Sequence, residues 1–340
     1  MSVRALVVDD SPTMRGLVTA MLRRDPEIEV VGTASEPLKA RALMRELDPD
    51  VVTLDVEMPG MDGLDFLDRI MRLRPTPVVM VSSFTTSGAA ATVRALELGA
   101  VDCFAKPSGG LRTLLETCAD ELIAKVKGAA GCRGRLARVT PAAAPPVGFE
   151  WNGRMIAIGA STGGVEALTA LLSTFPVNCP PTLVVQHMPA NFTRMFATRL
   201  SMRVRPKVVE AEDGMPIRQG TVYIAPGGVG HLTVSGRQQP VCRIADDAPL
   251  SGHRPSVDML FHSLARHDPA RVAGIILTGM GQDGAAGLVA MRRAGMPTIG
   301  QDEATSLIYG MPRAALECGA LGTVLPLDAI ASHVLELCRC

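Results

Sequence analysis

Several features that mark other classes of protein are missing from this 340-residue chain. It holds eight cysteines but no C-x-x-C pair, which argues against a structural metal site or a dithiol redox motif. No apolar run approaches the roughly 18 residues that span a bilayer, and we expect no signal peptide, since the sequence Met1-Ser2-Val3-Arg4 leads directly into the first predicted strand. The formal net charge is zero, so the overall charge does not favour nucleic acid or an anionic membrane as a partner. We therefore expect a cytoplasmic protein with reduced thiols and no membrane insertion.

The composition is sufficient for two domains, because 47% of the residues are hydrophobic and 20% are charged. Apolar segments of strand length alternate with helical patterns in both halves, which predicts an α/β fold with two doubly wound parallel-sheet domains. We place the domains at residues 1–127 and 150–340, the second with a β-hairpin across residues 235–240. The Pro-, Ala- and Arg-rich segment 128–149 is then a linker. Its arginines either remain solvated, or they dock on an acidic partner or on the domains themselves.

Polar residues follow successive predicted strands in the first half of the chain. They are Asp9, Asp10, Asp55, Ser83 and Lys106. Because parallel strands end at one edge of an open sheet, these side chains should lie together where such sheets bind ligands. Three carboxylates would repel one another without a cation, and oxygen ligands suit Mg²⁺. A phosphoryl-accepting aspartate is one interpretation, and a set of solvated loop carboxylates is the other.

The second half opens on a small-residue turn between a strand and a helix. Gly159 and Gly163 flank Ser161 with the spacing G-x-S-x-G, which is typical of a serine nucleophile on a sharp turn. Glycine-rich turns also bind phosphate, and many are only tight turns. The Lys of a P-loop and the G-x-G-x-x-G spacing are both absent, which argues against the common nucleotide loops.

Two further strand ends carry the groups that a serine nucleophile requires. His187 could take the serine proton, and Asp283 could orient the histidine and stabilise its cation. The order Ser–His–Asp argues against the α/β-hydrolase fold, in which the aspartate precedes the histidine. The residues leave competitors open, which are His231, His253 and His262 for the base, and Asp246 and Asp247 for the carboxylate.

The first domain resembles a response-regulator receiver domain in its Asp9-Asp10 pair, Asp55, the loop 58–63, Ser83 and Lys106-Pro107. The resemblance implies a flavodoxin-like fold and phosphorylation of Asp55. It also implies Mg²⁺ on Asp9, Asp10, Asp55 and the main-chain carbonyl of Glu57, a switch formed by Ser83 and Lys106, and a cis bond before Pro107. Many receivers have an aromatic residue three positions before the lysine, where this chain has Cys103.

The second domain resembles the catalytic domain of the chemotaxis protein-glutamate methylesterases. Six segments carry the likeness: Gly159-Ala-Ser161-Thr-Gly-Gly164, Gln186-His-Met-Pro189, Ala225-Pro-Gly-Gly228 with His231, His253-Arg-Pro-Ser-Val-Asp258, Thr278-Gly-Met-Gly-Gln-Asp-Gly284, and Gln301-Asp-Glu-Ala-Thr-Ser306 with Tyr309-Gly-Met-Pro312. The resemblance implies a Rossmann-like fold without a cofactor. Ser161 is then the nucleophile, His187 the base and Asp283 its orienting acid, while Thr162 and Met280 line the oxyanion site.

Together the resemblances imply a monomeric hydrolase that adapts chemotaxis signalling. It would demethylate glutamyl esters, and deamidate glutamines, on chemoreceptors. A chemotaxis histidine kinase would phosphorylate the receiver, which covers the active site when unphosphorylated. Two alternatives are a phosphorylation-gated binding module without catalysis and an esterase for small metabolites. A DNA-binding output domain is disfavoured by the neutral charge and the lack of a helix-turn-helix pattern.

Overall fold

The computed structural model describes residues 2–58, 62–83, 85–106, 118–134 and 148–340. The chain divides into two compact units, Met1–Arg138 and Val139–Cys340. Parts of three predictions lie outside the described residues: the loop 58–63 at 59–61, the bond between Lys106 and Pro107, and the linker at 135–147. The boundaries of the predicted linker stay a prediction. Within the described ranges we find no helix that combines the length and apolar composition needed to cross a membrane.

The first unit contains a five-stranded parallel sheet in the order β2-β1-β3-β4-β5. Its described elements are β1 (Val3–Val8), α1 (Pro12–Leu22), β2 (Ile28–Ala34), α2 (Pro37–Leu47), β3 (Val51–Asp55), α3 (Gly63–Leu73), β4 (Val78–Ser82), α4 (Thr86–Glu97), β5 (Asp102–Ala105) and α5 (Ala119–Ala130). Strands β3 and β4 are buried along their whole length, as expected of a sheet covered on both faces. The strand order is that of flavodoxin-like folds, as predicted.

Local signals define where the first helix begins. Ser11 has extended backbone angles and its side chain accepts a hydrogen bond from the N–H of Met14, while Pro12 occupies the first helical position. The helix therefore starts directly after β1. This keeps the turn short and holds Asp9 and Asp10 at the edge of the sheet.

The second unit contains a seven-stranded parallel sheet in the order β14-β13-β12-β6-β7-β9-β8 and a separate hairpin of β10 and β11. Its strands are β6 (Met155–Ala160), β7 (Thr182–Gln186), β8 (Lys207–Glu210), β9 (Thr221–Ile224), β10 (His231–Ser235), β11 (Val241–Ala245), β12 (Val272–Ile276), β13 (Thr298–Gln301) and β14 (Thr323–Leu325). Its helices are α6 (Gly164–Ser173), α7 (Phe192–Ser201), α8 (Val257–Leu264), α9 (Ala285–Arg293), α10 (Met311–Glu317) and α11 (Leu327–Leu337).

The predicted fold class and the hairpin are confirmed, but strand β8 was not predicted from the sequence. This strand has only four residues, of which only Val208 is buried. It lies at the edge of the sheet and pairs only with β9. A short, half-exposed edge strand lacks the continuous apolar run by which central parallel strands are identified.

Candidate functional site

The strand order of the second sheet reverses between β6 and β12. From β6 the chain continues to β7 on one side, whereas β12 lies on the other side of β6 and is followed outward by β13 and β14. Ligands of open α/β sheets bind beside such a switch point, at the carboxyl ends of the strands. Ser161 directly follows β6, His187 directly follows β7, and the loop that holds Asp283 follows β12. The three predicted residues therefore share one edge of the sheet.

The turn at Ser161 depends on close main-chain packing. Ser161 donates its N–H to the carbonyl of Thr278, at 3.1 Å, and its own carbonyl accepts the N–H of Gly164 and the side-chain amide of Gln186, both at 2.8 Å. Gly163 has a φ of 78°, a left-handed conformation that favours glycine. These contacts hold the serine where the strand meets the helix, with its side chain half-buried.

The carboxylate of Asp283, from the loop after β12, lies against the N-terminus of α8 and accepts four hydrogen bonds. Its Oδ1 accepts the hydroxyl of Ser256 (2.8 Å) and the N–H of Asp258 (3.0 Å), while Oδ2 accepts the N–H of Val257 (2.7 Å) and Nε2 of His187 (2.8 Å). Burial raises the pKa of this carboxyl, but His187 and the helix amides outweigh it and lower the pKa from 3.8 to about 2. Asp283 is therefore an anion at neutral pH.

The hydrogen bond to Asp283 determines which ring nitrogen of neutral His187 carries the proton. An ionised carboxylate can only accept, so Nε2 is the donor in the neutral ring and Nδ1 carries the lone pair. Nδ1 is buried and has no hydrogen-bond partner among the described residues. The N–H of His187 donates to the carbonyl of Ala160, one residue before Ser161. The ring thus offers a basic nitrogen in the neighbourhood of the serine.

The competing histidines and carboxylates have other surroundings. His231 is fully buried, with Nδ1 accepting the N–H of Ser256 at 3.0 Å and Nε2 lying 3.0 Å from the carbonyl of Ala248. His262 is exposed on α8, and Asp246 is exposed and paired with Arg254, next to the exposed Asp247. His253 stacks on the ring of His187. The structure brings His187, rather than a competitor, to Asp283.

Thr162 follows the serine directly, and Met280 is next in sequence to Gly279, a residue that packs against the serine. Thr162 is buried and its carbonyl accepts the hydroxyl of Thr278 at 3.1 Å. Met280 follows Gly279, where an added Cβ would lie only 2.8 Å from Cβ of Ser161. Glycine at that position lets the loop after β12 approach the serine closely.

A pocket of about 430 Å³ opens beside Asp283. Its lining includes His253, Gln282 and Arg313, the last of which pairs with Glu317 at 2.7 Å. The residues that line the pocket include Asp283 but neither Ser161 nor His187.

The first unit has its own polar cluster at the switch point between β1 and β3. The carboxylates of Asp9, Asp10 and Asp55 have ligand atoms within 4.8 Å of one another. Nζ of Lys106 lies 2.7 Å from Oδ2 of Asp55 and 3.1 Å from Oδ2 of Asp9. The hydroxyl of Ser83 shares a 3.0 Å hydrogen bond with that of Thr85.

The donor set of this cluster fits Mg²⁺, a cation that prefers oxygen ligands. Oδ2 of Asp9 is buried, and the Lys106 ammonium lies 3.1 Å from it. Burial raises the pKa of Asp55, Lys106 opposes that effect, and the carboxylate of Asp9 adds to it. A cation held between these groups would relieve the repulsion. The N–H of Glu57 donates to Oδ1 of Asp55 at 3.3 Å, so the main chain of Glu57 borders the cluster.

Comparison with known protein families identifies both units. The family model described as CheB methylesterase matches residues 156–334, more than half of the chain, and the response regulator receiver domain model matches residues 5–118. The chain belongs to the CheB methylesterase family.

Full-length relatives in this family have the same extent. The chain is 53% identical over 337 residues to a Rhizobium etli protein named protein-glutamate methylesterase/protein-glutamine glutaminase, covering 98% of this chain and 96% of that protein. A protein of the same name from Agrobacterium fabrum is 52% identical over 341 residues, with 98% and 96% covered. The Thermotoga maritima CheB methylesterase catalytic domain aligns with a TM-score of 0.53 and 35% identity, covering 55% of this chain and 99% of that structure. The predicted family, and with it the enzyme class, is confirmed.

Sequence reasoning assigned no role to several residues that hold the site of this CheB family member together. The side-chain amide of Gln186 donates to the carbonyls of Ser161 and His187, at 2.8 and 3.2 Å. The Ser256 side chain caps α8 by accepting the N–H of Met259, and its hydroxyl also donates to Asp283. Gln186 is a polar residue directly after the apolar run 183–185 of a buried strand, and this is the sequence signal that could have indicated it.

Gly159 supplies a test of this packing. A Cβ at this position would lie 2.3 Å from Cγ1 of Val257, the residue whose N–H binds Asp283. We expect Gly159→Ala to destabilise the second unit by about 1–3 kcal/mol through overpacking, as measured by urea unfolding. Gly16→Ala in α1, where nothing lies within 4 Å, is the control and should not destabilise the first unit. Equal stability of the Gly159→Ala variant and the wild-type chain would contradict the packing argument.

Proposed function

We propose that this chain is a phosphorylation-activated hydrolase that demethylates glutamyl methyl esters on chemoreceptors, and deamidates glutamines there, to give adaptation in chemotaxis. The observation that carries the proposal is the 2.8 Å hydrogen bond between His187 and the buried Asp283, at the sheet edge where Ser161 follows β6. The names of the full-length relatives supply the substrate class.

The chemistry proceeds through an acyl-enzyme. Oγ of Ser161 attacks the ester carbonyl and its proton passes to Nδ1 of His187, while Asp283 stabilises the imidazolium. The main-chain N–H groups of Thr162 and Met280 stabilise the oxyanion. When the intermediate collapses, the C–O bond to the methoxy group breaks and methanol leaves with the proton from Nδ1. Water, activated by the same nitrogen, then releases the glutamate. On a glutamine side chain the leaving group is ammonia.

Control comes from Asp55, which accepts the phosphoryl group from a chemotaxis histidine kinase. Asp9, Asp10, Asp55 and the main-chain carbonyl of Glu57 would hold Mg²⁺, which when bound neutralises charge on the phosphoryl oxygens. Lys106 already lies 2.7 Å from Asp55, and Ser83 directly follows the neighbouring strand β4, so both can bind those oxygens.

The unphosphorylated receiver covers the active site, and phosphorylation shifts the population towards an open state. The protein acts as a monomer in the cytoplasm, where it meets the cytoplasmic helices of the receptors. Interfaces between domains of one chain are of modest area, which suits a switch of this kind.

Replacing the phosphoryl acceptor tests the control directly. We expect Asp55→Asn to keep the basal rate of methanol release but to lose the activation by acetyl phosphate, roughly 5- to 150-fold for a typical allosteric coupling. The control is Asp68→Asn, an exposed change on α3 that should retain the response. Activation that persists in the Asp55→Asn variant would refute phosphorylation at this residue.

The chemistry itself is tested with receptor membranes that carry either methylated glutamates or glutamines at the modification sites. Methanol should be released from the first and ammonia from the second, each in proportion to the glutamate formed. Hydrolysis of small soluble esters with no release from receptors would instead indicate an unrelated esterase.

A further inference from the structure

The loop before α8 contacts His187 as well as Asp283. The rings of His187 and His253 are stacked, with centroids 3.8 Å apart and planes inclined by 8°. Ser256, three residues later, donates its hydroxyl to Asp283. One short segment therefore holds both members of the pair from which the proposed base is built.

The stack restricts a motion that the hydrogen bond to Asp283 leaves open. A single bond from Nε2 lets the imidazole turn about the line that joins Nε2 to the carboxylate oxygen. Nδ1 has no hydrogen-bond partner in the described ranges and does not oppose this turn. A second ring against the face of His187 does oppose it, because turning would break the parallel contact.

The main chain that carries His253 is itself held firmly. Leu250 and His253 exchange two backbone hydrogen bonds, of 2.9 and 3.1 Å, across a turn in which Ser251 and Gly252 both have positive φ. The carbonyl of the next residue, Arg254, accepts the N–H of Gly228 at 3.0 Å. The ring of His253 is thus presented from a fixed turn, as a supporting residue should be.

We propose that His253 is a positioning residue for the hydrolysis, whose stacked ring keeps Nδ1 of His187 directed at the serine through both proton transfers. The inference rests on the proposed role of His187 as the base. The supporting property is the flat ring face, so another aromatic ring can replace it. A ring that acts through orientation affects the rate of proton transfer and not the binding of the receptor.

The test compares His253→Ala and His253→Phe with the wild-type full-length chain on methyl-labelled receptor membranes. We expect His253→Ala to lower kcat roughly 10- to 100-fold with little change in KM, because small misplacements of a catalytic group have effects of this size. His253→Phe should recover most of the lost rate. His262→Ala, an exposed change on α8, is the matched control and should behave as the wild type.

Labelling by a fluorophosphonate gives a second readout that needs no receptor. The rate at which Ser161 is labelled should fall in His253→Ala and recover in His253→Phe, while urea unfolding shows whether each variant remains folded. An unchanged kcat in His253→Ala would overturn the proposal. So would a folded His253→Phe variant as slow as the alanine variant, since the ring face would then not be the property required. A wild-type chain that neither labels nor releases methanol would overturn the proposed function itself.

Discussion

Methanol release should fall by about 10⁶-fold when Ser161 is replaced by alanine, the size of loss seen when a serine nucleophile is removed. No other group can form the acyl-enzyme in the proposed mechanism. The fold should be unaffected, because the main-chain bonds of Ser161 to Thr278, Gly164 and Gln186 do not involve its hydroxyl. Initial rates on methyl-labelled receptor membranes measure the effect.

A covalent probe identifies the nucleophile independently of the substrate. A fluorophosphonate should label the wild-type chain at Ser161 and leave the Ser161→Ala variant unlabelled. The hydroxyl of Ser332 donates a hydrogen bond to the carbonyl of Ala329 within α11. Ser332→Ala is the control, and it should change neither labelling nor turnover. Methanol release by Ser161→Ala at a rate close to the wild type would exclude Ser161 as the nucleophile.

The second large effect is expected at Asp283. We expect Asp283→Asn to lower kcat by about 10⁴-fold, since the neutral amide neither stabilises the imidazolium of His187 nor preserves its tautomer. Asp246→Asn, at a competing carboxylate that is 90% exposed, should have no effect. A normal rate in Asp283→Asn together with a loss in Asp246→Asn would show that Asp246, and not Asp283, orients the base.

The same substitution should change stability in a pH-dependent way. Asp283 accepts four hydrogen bonds, so an asparagine NH₂ would face N–H and O–H donors, which costs about 1–3 kcal/mol. The pKa of Asp283 is lowered from 3.8 to about 2, and the ionised carboxylate thus contributes roughly 2 kcal/mol that is fully present above pH 3.8 and is lost as the pH falls towards 2. The difference in unfolding free energy between wild type and Asp283→Asn should shrink in that window. A constant difference would contradict the lowered pKa.

The alternating pattern of strands and helices predicts which residues follow strands, and the fold brings those strand ends to one edge of the sheet. Ser161, His187 and Asp283 each follow a strand, and parallel strands end at one edge, so their proximity follows from the pattern of strands and helices. The contacts that refine the site depend on how α8 packs against β6. Gly159 meets Val257, and Ser256 meets Asp283, across separations in sequence that no local pattern encodes. The stacking of His253 on His187 is of the same kind, and sequence alone left His253 as a rival base.

In the first unit, too, the shared sheet edge was predictable from sequence, whereas the long-range contacts were not. The carboxylates of Asp9, Asp10 and Asp55 were expected at one sheet edge, and their oxygens lie within 4.8 Å of one another. The surroundings of Cys103 were not predictable. Burial raises the pKa of this thiol to about 12, and the adjacent Asp102 adds to the effect while pairing with Lys125 of α5 at 2.9 Å. That pair depends on a helix 23 residues further along the chain.

The most direct test of the account is the initial rate of methanol release from methyl-labelled chemoreceptor membranes by the wild-type chain, with and without acetyl phosphate and Mg²⁺. We expect a measurable basal rate that rises with the phosphodonor and depends on Ser161 in both conditions. An equal rate with and without acetyl phosphate would contradict the control by Asp55, although the proposed hydrolysis would still stand. No release under either condition, from receptors that a related methylesterase does demethylate, would contradict the central claim.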